Sequence, residues 1–119
     1  MIGAVLTAAI GALHAYILWL EMFRWEHPRT RRAFGTTEDF ARATKVLAAN
    51  QGLYNGFLAA GLFWAVLSGT AAEGRPLALF FLSCVLIAGL YGAATASRRI
   101  LFIQGLPAAI ALAAVLLRL

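Results

Sequence analysis

Apolar positions along the chain gather into four runs without a charge: Met1 to Leu20, Val46 to Ala72, Pro76 to Ser97 and Ile100 to Leu117. Each is close to the roughly 20 helical residues that cross about 30 Å of hydrocarbon. The pattern predicts an all-α, four-transmembrane-helix bundle, a single domain over 1–119 with helices over about 2–24, 37–68, 76–97 and 100–118. A soluble bundle would carry lysine and glutamate on its outward helix faces, and these runs have none to offer.

Local signals set the helix ends. His27-Pro28 stops the first helix, because the residue before proline avoids the helical region. Thr36 is expected to cap the second helix, with Glu38 and Asp39 in its first turn complementing the dipole. Pro76 suits the first turn of the third helix. Pro107 removes a backbone donor inside the fourth and predicts a kink, or a polar partner, near Ile103. The first run has no basic start and no small-residue cleavage pattern, so it reads as a mature helix rather than a secretion signal.

Charge adds an orientation. The net charge is +5, and the ten basic residues are unevenly placed. Arg24, Arg29, Arg31, Arg32, Arg42 and Lys45 follow the first helix, and Arg98 and Arg99 follow the third, leaving Arg75 and Arg118 for the other side. The positive-inside rule then puts both termini outside and the basic connections in the cytoplasm, where they would sit against anionic headgroups. This distribution accounts for the positive charge without nucleic acid, which is not expected as a partner. Cys84 is the single cysteine, so no intrachain disulfide can form.

The polar residues inside the runs are the candidate chemistry. His14, Glu21, Asn50, Gln51, Tyr54, Asn55, Tyr91 and Gln104 come from all four helices. Counted from the arginine-rich ends, Gln104 and Asn50 lie roughly 8 Å deep, Tyr91 about 10 Å, and His14 about 15 Å, all in the cytoplasmic half or at the midplane. Unmatched amides at such depth are costly. One expectation is therefore a pocket lined by these eight residues that takes a small or lipid-like molecule. The other is a structural or accessory subunit in which the same groups only fix helix packing through interhelical hydrogen bonds. On the second helix Ala48, Gly52, Gly56 and Ala60 form a small-residue stripe, expected to pack a homo-oligomer.

His14, Glu21 and Tyr54 have the functional groups of an acid–base set, but no spacing shows that they meet, and catalysis stays open. No metal site is expected, since His14 and Glu21 stand two turns apart without further ligands. No Walker loop, dinucleotide fingerprint or nucleophile elbow implies a cofactor. A transporter would need a polar route through the outer half, which is leucine, alanine, valine and phenylalanine.

Three segments carry a resemblance: His14-Ala-Tyr-Ile-Leu-Trp-Leu-Glu21-Met22, Asn50-Gln51-Gly52-Leu53-Tyr54-Asn55-Gly56 and Gln104-Gly105-Leu106-Pro107-Ala108. They resemble the signatures of a bacterial family of about 120-residue, four-helix inner-membrane proteins known only as a domain of unknown function. That resemblance implies a multi-pass protein of the bacterial inner membrane and no established activity. The basic first connection, Phe34-Gly35-Thr36-Thr37-Glu38-Asp39 and Tyr91 are also similar to the membrane-associated proteins in eicosanoid and glutathione metabolism (MAPEG). This second likeness implies a trimer, and glutathione as a possible cofactor of a MAPEG-like enzyme. Leu47, Gln51 and Tyr54 stand where that superfamily has arginine, asparagine and glutamate, which removes the main charged contacts for an anionic tripeptide.

Overall fold

The computed structural model describes residues 1–119 and is helical, without strands. Six α-helices run α1 Ile2–Phe23, α2 Pro28–Phe34, α3 Glu38–Ala43, α4 Lys45–Leu67, α5 Arg75–Thr95 and α6 Leu106–Leu116, with a π-helical segment at Leu101–Gly105. The chain divides into two compact units: Met1–Ala12 with Leu58–Leu119, and Leu13–Phe57.

The first unit has an apolar core of Ile10, Leu62, Ala65, Ala78, Leu82, Val85, Ala108, Ala111 and Val115. Its small residues let helices approach closely, which in an apolar medium is the main source of helix association. Against α5 lie the π segment and α6. There Gly89 is indispensable: a Cβ on it would stand 2.6 Å from the Gly105 nitrogen and 2.7 Å from its Cα. Arg75 closes the far end, donating from Nε to the Val115 carbonyl at 3.4 Å and from Nη2 to the Leu116 carbonyl at 3.3 Å. These are last-turn carbonyls of α6, which have no partner within their own helix.

The π segment is the outcome of Pro107. Without a proline N–H, the regular ladder loses a donor one turn earlier. The Leu106 N–H instead reaches back five residues to the Leu101 carbonyl. The interruption expected near Ile103 thus takes the form of a wider helical turn, a known response to a broken ladder.

In the second unit, the stretch after α1 is folded rather than a plain connection. His27 caps α2, its Nδ1 accepting from the Arg29 N–H at 3.2 Å, and Pro28 occupies the first turn. Gly35 ends α2 in the left-handed region, φ 69°. Capping of the next helix falls to Thr37, whose hydroxyl accepts from Phe40 N–H at 3.2 Å. The expectation placed this role one residue early, on Thr36, whose buried hydroxyl has no hydrogen-bond partner.

The single helix expected over 37–68 is divided at Thr44, φ −106° and ψ 9°. Its hydroxyl donates to the Phe40 carbonyl at 2.7 Å and accepts from the Trp25 indole N–H at 3.1 Å. Trp25 also packs edge-on against Phe34, ring centroids 5.0 Å apart. Trp25 thus ties the end of α1 to α2 and to the α3–α4 junction.

Candidate functional site

Within the second unit, glycines decide where α1 and α4 meet. A Cβ on Gly52 would lie 2.7 Å from Met22 Cγ and 3.1 Å from Glu21 Cβ, and one on Gly56 would lie 2.5 Å from Leu18 Cδ1. Ala48 is buried on the same face. The Gly52 and Gly56 part of the small-residue stripe is therefore used inside the chain, against Leu18, Glu21 and Met22, whereas Ala60 is exposed.

This approach places Asn55 against Glu21. Asn55 Nδ2 donates to Glu21 Oε1 at 2.7 Å and lies 3.1 Å from its own helix's Gln51 carbonyl. Glu21 takes an amide partner rather than the Arg24 pairing that the i+3 spacing suggests. A hydrogen bond to a carboxylate is shorter and stronger than one between neutral groups. It fixes the register of α1 against α4.

The other candidates are divided. His14 is 1% exposed on the covered face of α1. Asn50, Gln51 and Tyr54 point outward, Tyr54 at 54% exposure, and the Asn50 amide donates to its own Val46 carbonyl at 2.9 Å. Tyr91, 71% exposed, and half-buried Gln104 belong to the first unit, Gln104 in the π segment. Of the eight predicted residues, Glu21 and Asn55 are brought together by a direct bond, and four are on the surface of the single chain.

The clefts of the second unit lie nearby and involve residues that the sequence reading left out. One of about 300 Å³ is lined by Tyr16, Trp19, Leu20, Arg24, His27, Arg29 and Thr30. Arg24 stacks over Trp19, 5.5 Å from guanidinium carbon to ring centroid, and Trp19 leans on Tyr16 at 5.9 Å. Partial burial, followed by the surrounding Arg24, Arg29, Arg31 and Arg32, holds the His27 pKa below its ordinary value of 6.5. A second cleft, about 250 Å³, includes Met22, Trp25, Glu26 and Lys45, with Lys45 Nζ 3.4 Å from Glu26 Oε1. The signal for the first was present in sequence as Tyr16, Trp19 and Leu20 at helical spacing, followed by Arg24. No group of three or more His, Cys, Asp or Glu converges anywhere in the chain.

The family model described as a protein of unknown function (DUF1304) matches residues 8–116, which contain all three signature segments. The chain belongs to the DUF1304 family. An uncharacterised DUF1304-length relative, YpaA of Lactococcus lactis subsp. lactis (strain IL1403), is 31% identical over 103 residues, covering 85% of each chain. The resemblance to a family of unknown function is thus shown. No solved structure matches, so the likeness to the glutathione-metabolising membrane proteins has no structural neighbour behind it.

Two helices of this DUF1304 chain, α1 with 22 residues and α5 with 21, are long and apolar enough to cross a membrane. The stretch Leu101–Leu116 is apolar but shorter. With 23 residues α4 is long enough, at about 35 Å; Asn50, Gln51, Tyr54 and Asn55 are what lower its hydropathy.

Proposed function

We propose that this DUF1304 protein is a four-span inner-membrane protein, arginine-rich segments in the cytoplasm and both termini outside, that binds a small or lipid-like molecule in its cytoplasmic half. In this reading α4 and the π segment with α6 supply the two spans beyond α1 and α5. The carrying observation is the outward placement of Asn50, Gln51 and Tyr54 on a segment without a single charge from Val46 to Ala72. Hydrocarbon would leave the Gln51 and Tyr54 groups unpaired, and the Asn50 amide with only its bond to Val46, at a cost of about 1–3 kcal/mol for each unpaired group. A ligand with a polar head and an apolar body satisfies them.

Native mass spectrometry of the protein extracted in mild detergent tests the reading. The wild-type chain should carry a co-purifying amphiphile, and the double variant Gln51→Leu with Tyr54→Phe should lose most of it. A bare wild-type chain, indistinguishable from the variant, contradicts ligand binding.

One observation favours a structural role instead. The Asn55–Glu21 bond is complete within the chain and needs no ligand. Under that reading the polar layer only fixes helix register, and the double variant would change oligomeric state or stability while no small molecule is ever detected.

A further inference from the structure

The cleft beside the end of α1 has a chemistry distinct from the amide face of α4. Its lining combines a phenol and an indole, Tyr16 and Trp19, with the guanidiniums of Arg24 and Arg29, the His27 ring and the buried Thr30. No acidic side chain lines it. Neither arginine forms a salt bridge, whereas Arg42 is paired with Glu38 and Asp39 and Lys45 with Glu26. Arg24 is held over the Trp19 face, an arrangement that orients a guanidinium while leaving its N–H donors available.

We propose that this cleft binds the phosphate headgroup of an anionic phospholipid, the two guanidiniums holding the phosphate and the Tyr16–Trp19 wall taking the first part of the acyl region. The proposal rests on the reading above in one respect, that α1 crosses the membrane and ends at its cytoplasmic face. Aromatic rings followed by basic side chains match the passage from hydrocarbon to headgroup at such an interface. Arginine suits the task because its planar fork meets phosphate oxygens two at a time. The neighbouring cleft shares Arg24 and His27 but is also lined by the carboxylate of Glu26, 3.4 Å from Lys45 Nζ, which disfavours a phosphate there.

The full-length protein in detergent, titrated with phosphatidylglycerol and with phosphatidylcholine and followed by native mass spectrometry, provides the test. Wild type should prefer phosphatidylglycerol about tenfold. Arg24→Gln with Arg29→Gln should remove most of that preference, and Arg24→Lys with Arg29→Lys should retain part of it. Arg98→Gln with Arg99→Gln, which removes the same charge from exposed positions, should leave it intact. Equal losses in both glutamine pairs would mean general electrostatics and overturn the assignment. Glycerol phosphate or inorganic phosphate competing as strongly as the lipid would make the ligand a soluble phosphate and overturn the lipid assignment. Carbonate washing of cell membranes separates the two readings. A chain that stays in the membrane yet shows no lipid preference sinks only this inference, while a chain released into the wash sinks the membrane reading itself.

Discussion

In the first unit Ala65, Ala78, Ala108 and Ala111 are fully buried beside Leu62 and Leu82, and backbone meets backbone at Gly89 and Gly105. In the second, contact is made by side chains that also hydrogen-bond: Glu21 with Asn55, Trp25 with Thr44, and Lys45 with Glu26. One region is fixed by shape, with little that could adjust. The other is fixed by polar pairs and by flexible ends such as Met22, and it holds the clefts lined with basic and aromatic groups. Close apolar packing and chemistry are thus concentrated in different parts of the sequence.

Substitutions put this contrast to the test. The largest effect is expected from Leu82→Ala, which opens a void in the apolar core and should cost about 3 kcal/mol in a reversible unfolding titration. Next is Gly89→Ala, about 2 kcal/mol, because its methyl group meets backbone that cannot turn aside. Gly52→Ala should cost clearly less than Gly89→Ala, since Met22 can change rotamer; equal costs would erase the distinction between the two regions. Asn55→Leu withdraws the donor from Glu21 and should cost about 1–2 kcal/mol, with the loss moderated where water reaches the carboxylate. Arg42→Gln should change stability by less than about 0.5 kcal/mol, because its ion pairs with Glu38 and Asp39 are exposed.

The smallest effect concerns pH. His27 has a folded pKa below 6.5, so the fold favours its neutral form. Its contribution is fully present above the unfolded value and declines as pH falls through that value toward the folded one. His27→Gln should flatten this part of the stability profile. An unchanged slope between the two proteins would assign the dependence to another group.

Much of the helical order was readable because long uncharged runs leave few alternatives, and Pro76 and Pro107 mark their positions through the missing N–H. The π segment itself was not readable. Sequence shows that a donor is lost, but not that the Leu106 N–H returns five residues to the Leu101 carbonyl. The division at Thr44 was hidden for a similar reason, since the hydroxyl that turns back to Phe40 is engaged by Trp25, nineteen residues earlier. Depth counting gathered the eight polar residues at one level. Depth does not specify rotation about the helix axis, so it could not separate Asn55, which meets Glu21, from Asn50, Gln51 and Tyr54, which face outward.

Cysteine reactivity provides the most direct test of the central proposal, that the outward face of α4 is an accessible polar site on the cytoplasmic side while the apolar core around Leu82 is sealed. In a Cys84→Ser background, Gln51→Cys and Tyr54→Cys should react with a polar maleimide added to the cytoplasmic side of oriented vesicles, and Leu82→Cys should not. Position 51 as inert as position 82, or labelled only from the outer side, would contradict it.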